Sequence, residues 1–509
     1  MNAPSDPVAA LRRLRGDPTL AQLRGAIGDR AGIYLVGGML RDELLGRTKT
    51  TGKPLDIDLA VGSGAAALSR KLARGFSATA FTLHEATQVF RVAVPARRGK
   101  AAMQIDIAQI QGRDILEDLA RRDFTANAIA LPLAPGAQDG WIDPHEGIAA
   151  IRRRILSPVS AGGLKDDPVR VLRAFRLAAT LDLDLSAAAL AAARGARGLL
   201  RTVAGERLRV ELLGLLATPS AQALETMDAA GILTAVFPEL EPSRRCAIAY
   251  YGKGGVLRHA LNAVARFDFL LEALPKIYPK FTEPIRAHLA SSLGGNDAHA
   301  ALLRLAVLLH DVAKPATARR IGGRLRFFGH EAKGAEMSEV ILRRLRFSKD
   351  EIAMVSAAVR HHLRPGNLAA SGTITDKAAF RFFRDLGPHS VDLLLLCWAD
   401  HSSYLKPVAL GRILGRVGAE PRPGSRGPRS AEARKTLFHL QVVSLLIARN
   451  FERPDLVRPK RWLDGREIMK TLGLAPGPRI GEILAALEEA QVEGKLADKV
   501  SAIRFIRTL

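Results

Sequence analysis

Leu55-Asp56-Ile57-Asp58-Leu59 sets apolar and acidic residues in strict alternation. A period of two marks a β-strand with one face in a core. On such a strand Asp56 and Asp58 project from the same face while Leu55, Ile57 and Leu59 enter the interior. Two carboxylates held side by side repel, an arrangement that is costly unless a cation lies between them, and hard oxygen ligands suit Mg²⁺ with a bound triphosphate. An acidic pair facing solvent on an edge strand is the other reading of the same residues. Asp106, in Gln104-Ile105-Asp106-Ile107, has a similar strand position and is a candidate third carboxylate. Upstream, Tyr34-Leu35-Val36-Gly37-Gly38-Met39-Leu40-Arg41-Asp42 predicts a strand, a diglycine turn and a helix. Missing Cβ atoms let a phosphate approach the backbone, the helix N-terminus offers amides, and Arg41 adds a charge-assisted bond. Taken alone, a Gly-Gly turn is more often a plain chain reversal.

Around these motifs the pattern is mixed. Strand-like runs at Ile33–Val36, Leu55–Val61, Phe90–Val94 and Met103–Ile107 alternate with helical stretches until about Ile148. Beyond it Leu, Ala and Arg recur at three- and four-residue spacing and no strand is expected to return. The fold class expected is α+β, a small mixed β-sheet followed by mostly helical segments. The 509 residues exceed one domain, and roughly 150 residues per domain suggests about three. Gly- and Pro-rich breaks fall at Pro238–Ser243, Leu293–Asn296 and Glu420–Pro428, and the first and last serve as approximate boundaries.

Lys and Arg number 75 against 51 Asp and Glu, a formal net charge of +24 that calls for a polyanionic partner, nucleic acid first. Between Lys406 and Arg461 thirteen Lys or Arg face four Asp or Glu, a density that suits phosphates or a solvated basic loop around Pro421–Pro428. The longest apolar runs, such as Val391–Ala399 with its Asp392, are too short to span a bilayer. Cys246 and Cys397 stand far apart, so neither a disulfide framework nor a thiolate zinc site is expected, and a reducing compartment fits. Met1–Leu14 contains Asp6, Arg12 and Arg13 and lacks the apolar core of a secretory signal. A cytoplasmic location is expected.

These motifs, followed by Arg121-Arg122-Asp123-Phe124-Thr125-Ala126-Asn127-Ala128 and by Asp166-Asp167-Pro168-Val169-Arg170-Val171-Leu172-Arg173-Ala174-Phe175-Arg176, resemble the class II tRNA nucleotidyltransferases. That family includes CCA-adding enzymes and bacterial poly(A) polymerases, and the resemblance covers roughly Tyr34 to Ala179. It implies a palm-like catalytic head with Mg²⁺ on Asp56 and Asp58. It also implies nucleotide contacts from Gly38, Arg41, Arg122, Arg173 and Arg176. Asp167 and Arg170 look like the family's pair that reads the incoming base. Asp167, Arg170, Arg173 and Arg176 are three apart and are expected on one helix, as a polar ridge, a plain set of surface i,i+3 ion pairs being the alternative. Two departures stand out: Asp166 occupies a place where the family usually has Glu, and Arg47–Pro54 is longer than the family's usual link.

Leu308-Leu309-His310-Asp311-Val312-Ala313-Lys314-Pro315 ends an apolar helix in a His-Asp pair. With His259 upstream and Asp400 downstream it resembles the HD phosphohydrolase signature, and His330-Glu331 and His361-His362 match additional histidines of some members. Imidazoles and carboxylates on facing helices suit a transition metal, one ion or two. In HD-bearing nucleotidyltransferases such a domain hydrolyses phosphoesters or serves as a scaffold. Trp462–Gly465, Leu474–Gly481 and Ala485–Gly494 resemble the C-terminal tRNA-contacting segment of those members, a plain helical docking element being the alternative.

The chain is therefore expected to carry a nucleotidyltransferase head at 1–150, a helical base-recognition neck at 151–240, an HD domain at 241–405 and a basic tRNA-binding tail at 406–509. The activity implied is addition of CMP and AMP to tRNA 3′ ends from CTP and ATP. Partial CCA addition, poly(A) addition, or a phosphohydrolase with an RNA-binding front half are the alternatives.

Overall fold

The computed structural model describes residues 3–509 other than 48–53, 97–101, 135–139, 294–298, 371–373, 422–427 and 429. Most of the Arg47–Pro54 insertion and of the Pro421–Pro428 loop lies outside the described residues. The chain divides into two units. One comprises residues 1–203 with 229–236, the other 204–228 with 237–509.

The first unit is built on a six-stranded sheet: β1 Ile33–Val36, β2 Leu55–Val61, β3 Thr79–His84, β4 Val89–Val94, β5 Met103–Gln109 and β6 Ala130–Pro132, in the order β3-β4-β5-β2-β1-β6. β2 and β5 run parallel and every other neighbouring pair is antiparallel. The alternation read from the sequence sits near the centre: Ile57 and Leu59 are buried, while Asp58 is half-buried and Asp56 exposed on the opposite face. Register places Asp58 beside Asp106 of β5 and beside Val36 of β1. β3 and β6 are additional to the expected strands. β3 is an edge strand whose apolar Phe81 and Leu83 are exposed, so its residues do not show a one-faced core pattern.

Pro168 reshapes the expected ridge. The helix runs from Val169 to Leu181, and Asp167 precedes it with φ −136° and ψ 92°, because a residue before proline is driven out of the helical region. Arg170, Arg173 and Arg176 lie on the helix and Asp167 does not. Strands do return after Ile148 in small form: Ile155–Leu156 pairs parallel with Asp184–Leu185 in this unit.

The second unit is almost wholly helical. His299–Leu309 is buried along nearly its whole length, as a helix apolar on all sides must be. It packs with Gly255–Ile277, Lys349–His361 and Ser390–Ser403, and His330–Arg344 packs on Lys349–His361. A short hairpin, Arg319–Ile321 with Arg324–Arg326, interrupts the helices. Near the C-terminus, Gly465–Leu472, Pro478–Val492 and Lys499–Ile506 bury Ile468, Ile483, Leu487 and Ile506 in a cluster of their own. No helix among the described residues is long and apolar enough to cross a membrane.

Candidate functional site

At the C-terminal end of β1 the backbone turns at Gly37, whose φ of +79° favours glycine. A Cβ there would lie 2.5 Å from Asp58 Oδ2, so the absent side chain makes room for a carboxylate. The gap expected to admit a phosphate at this glycine is occupied by Asp58 Oδ2. The Gly38 amide hydrogen-bonds Asp58 and lowers its carboxyl, yet the net direction is upward. Burial pushes Asp58 up first, Asp106 adds to it, and Asp56 contributes less. Asp56 is also raised, chiefly by burial, with Arg91 opposing and Asp106 assisting. A face that resists ionisation of its own carboxylates fits a divalent cation, which would offset their charge.

Asp106, level with Asp58 in the register, carries an ion pair. Arg91 on β4 grips it with two bonds, Nε to Oδ1 at 2.6 Å and Nη2 to Oδ2 at 2.7 Å, as their paired register positions allow. Arg91 carried no signal in the sequence, since the partner comes from strand pairing. Arg91→Met keeps the stem, removes the cation that lowers Asp56, and leaves Asp106 unneutralised. Ionised carboxylates are needed to hold a metal, so the pH at which binding of a divalent ion is half lost is expected to rise. Mn²⁺ binding measured between about pH 5 and pH 8 checks this, and an unmoved midpoint contradicts it.

A cavity of about 530 Å³ opens beside Asp58, lined by Gly37, Gly38, Arg41, Gln111, Asp118, Arg121, Arg122, Asp123, Asn127, Arg170 and Arg173. Five arginines face three aspartates there, an excess of positive charge suited to a polyphosphate. Four of the five are held in place, and Arg121 is exposed. Arg41 Nη1 donates to Asn127 Oδ1 at 2.7 Å and Nε to Asp42 at 2.9 Å. Arg122 reaches Asp118 at 3.3 Å, and Arg173 reaches Asp123 at 3.3 Å. Asp123 in turn accepts from the Asn127 amide at 2.9 Å, so one Asn-Asp pair orients arginines from two segments. Arg170 donates to the carbonyls of Gly163 and Arg121 and lies 3.9 Å from Asp167. Of the predicted residues, Gly38, Arg41, Asp58, Arg122, Arg170 and Arg173 line this cavity. Asp56, Asp167 and Arg176 do not, and Arg176 is half-buried farther along the helix.

In the second unit His259, His310, Asp311 and Asp400 converge. His259 Nε2 stands 3.4 Å from Asp311 Oδ2 and 3.1 Å from Asp400 Oδ1, and His310 Nε2 stands 3.3 and 3.7 Å from the same atoms. Asp311 Oδ1 faces His330 Nε2 at 3.4 Å and His362 Nε2 at 3.7 Å. One buried carboxylate thus stands between two pairs of imidazoles. Backbone carbonyls of Val307, Phe327 and Val359 bind Nδ1 of His310, His330 and His362, which turns each Nε2 inward, the orienting role seen around bound metals. Close as they are, His259 Nε2, His310 Nε2, Asp311 Oδ1 and Asp400 Oδ1 are buried and none finds a partner of hydrogen-bond geometry among the described residues. Burial pushes His310 down, but Asp311 and Asp400 hold it up at about 10, whereas burial, with His310 nearby, drives His362 down to about 3. These donors fit one or two transition-metal ions, which would take the place of the proton His310 holds. Lys314, bonded to Asp311 and to the Tyr251 hydroxyl at 2.7 Å, completes the wall and was not singled out in the sequence. His361 stands outside both groups.

The Poly A polymerase head domain family matches residues 33–157, and the probable RNA and SrmB-binding site of polymerase A matches 182–243. The HD domain family matches 285–405, and the putative tRNA nucleotidyltransferase domain 2 matches 460–506. An A-adding tRNA nucleotidyltransferase of Deinococcus radiodurans is 33% identical across 94% of this chain and 95% of its own length. The chain belongs to the tRNA nucleotidyltransferases. A CC-adding tRNA nucleotidyltransferase of Thermus thermophilus is 32% identical, covering 93% of this nucleotidyltransferase and 92% of the relative. Among solved structures, the Thermotoga maritima CCA-adding enzyme complexed with tRNA superposes with a TM-score of 0.61 at 19% identity, over 100% of this chain and 99% of the other. The α+β fold of this nucleotidyltransferase, expected from its sequence, is the fold of those enzymes.

Proposed function

We propose that this nucleotidyltransferase extends the 3′ end of tRNA with CMP and AMP, taken from CTP and ATP, and releases pyrophosphate. One observation carries the reading: a single cavity holds Asp58 and the Gly37-Gly38 turn together with Arg122, Arg170 and Arg173. Mg²⁺ held by Asp56 and Asp58 would supply activation of the terminal 3′-hydroxyl and neutralisation of the phosphates. The 3′-oxygen bonds to the α-phosphorus as its proton passes to solvent, and the bond from that phosphorus to the α–β bridging oxygen breaks as pyrophosphate leaves. Arg41, Arg122 and Arg173 hold the phosphate charge, each braced by a carboxylate or amide. Catalysis is positioning and electrostatics.

Base choice falls to Asp167 and Arg170. Cytosine and adenine place an amine donor beside a ring-nitrogen acceptor, and a carboxylate beside a guanidinium complements that order. Uracil and guanine reverse it and would leave a charge unpaired, a strong basis for rejection. tRNA as the partner is supported by the tRNA-bound CCA-adding enzyme that shares the fold. With that substrate the cytoplasm is the compartment we propose.

A second reading, addition of only part of CCA, is favoured by the relatives. Relatives from Deinococcus radiodurans, Geobacter sulfurreducens and Thermus thermophilus, at 30–33% identity, bear A-adding or CC-adding names, while a multifunctional CCA protein of Verminephrobacter eiseniae matches 72% of the chain at 29%. One assay separates the readings. The full chain with Mg²⁺ is given tRNA transcripts ending before CCA, after C and after CC, with labelled CTP or ATP. Both nucleotides incorporated, with arrest after CCA, support full addition. CTP used only on the first two ends, or ATP only on the third, selects the partial enzyme. Long adenylate tails overturn both.

A further inference from the structure

The Arg319–Ile321 and Arg324–Arg326 hairpin turns through Gly322 and Gly323, at φ +55° and +73°, the two left-handed positions of a tight hairpin turn. Register pairs Arg319 with Arg326 and Ile321 with Arg324. Paired residues share a face and alternate residues return to it, so Arg319, Ile321, Arg324 and Arg326 lie on one side, and Arg320 and Leu325 on the other. All four arginines are exposed. None makes an ion pair or a side-chain hydrogen bond among the described residues, unlike Arg343, Arg344, Arg381 and Arg384, each of which sits on a carboxylate. Like charges directly across a two-stranded ribbon destabilise it. A polyanion laid along that face would reverse the effect.

Two further observations narrow the ligand. Phe328, just beyond the second strand, is 75% exposed, and an aromatic ring beside free guanidinium groups is the make-up of surfaces that stack unpaired bases while holding their phosphates. The hairpin is also tied to the His-Asp centre through Phe327, just after its second strand. Lys314, bonded to Asp311, lies over the Phe327 ring at 5.7 Å, and the Phe327 carbonyl accepts from His330 Nδ1 at 2.7 Å. We propose that this hairpin grips the backbone of a single-stranded RNA end at the rim of the His-Asp centre. The proposal rests on the reading that this protein handles RNA.

The test is binding of a short unstructured RNA oligonucleotide by the full chain across a salt series, for wild type, the triple variant R319Q/R324Q/R326Q, and R320Q. Each phosphate contact on a single strand contributes about 0.7 to the slope of log affinity against log salt. The triple variant should flatten that slope by about 2 and weaken binding on the order of 100-fold at about 0.1 M salt. R320Q, on the opposite face, should change it by less than about 0.7. Phe328→Ala, expected to weaken binding about tenfold, keeps the test open should the triple variant misfold by circular dichroism. An unchanged slope in a folded triple variant overturns the proposal, as does an effect of R320Q equal to the triple. Loss of binding to phosphatidylserine-containing vesicles with RNA binding intact also overturns it. If wild type incorporates no nucleotide into any tRNA, the proposed function fails while the salt slope still decides the hairpin.

Discussion

Asp58→Asn is expected to lower nucleotide addition by about 10³-fold or more while leaving the chain folded. The amide is nearly isosteric, so the packing against Gly37, where Asp58 Oδ2 fills the space of a missing Cβ, is kept. What is lost is one negative charge from the face that would hold the metal. In the wild type that charge is maintained against burial and against Asp106, so the substitution should relieve strain and raise thermal stability in the absence of divalent ions. The sign follows from linkage. A carboxyl raised in the folded state destabilises the fold as pH rises past its unfolded value, and the amide removes that cost. Activity falling while stability holds or rises is the expected signature, read by single-turnover incorporation and a thermal melt without Mg²⁺. Near-normal incorporation would remove Asp58 from the reaction.

Asp311→Asn should strip the second centre of bound metal. Its Oδ2 faces His259 and His310 and its Oδ1 faces His330 and His362, so one carboxylate serves both imidazole pairs. Metal content by mass spectrometry after dialysis is expected to fall to background in Asp311→Asn, whereas His330→Ala should lose no more than one ion. Loss of one oriented ligand or its partner costs about 10–100-fold in affinity, and loss of a shared charged ligand costs more. His310→Ala, which takes one imidazole from the other pair, should likewise lose no more than one ion and leave nucleotide addition largely intact, since none of these residues lines the cavity beside Asp58. A folded His310 variant that cannot transfer nucleotides would refute that division of labour.

The parts legible in the sequence were those fixed by short-range pattern. Alternation at 55–59 marked a half-buried strand because its period is intrinsic to the backbone, and His310-Asp311 ended a helix whose apolar sides foretold burial. Partnerships made across long separations were not legible. Asn127 meets Arg41 across 86 residues and Lys314 meets Tyr251 across 63, and Arg91 meets Asp106 only because β4 and β5 pair in one particular register. Asp167 was misplaced for a local reason that the sequence did contain, the proline that follows it.

The close fit between Gly37 and Asp58 also bears on how such a chain can change over time. No side chain can arise at position 37 while an aspartate is retained at 58 without displacing one or the other, so the two sites are not independent targets of mutation. A descendant that gained a side chain at 37 would strain its backbone there and push the acid at 58 out of its present position, and with it the chemistry of the head.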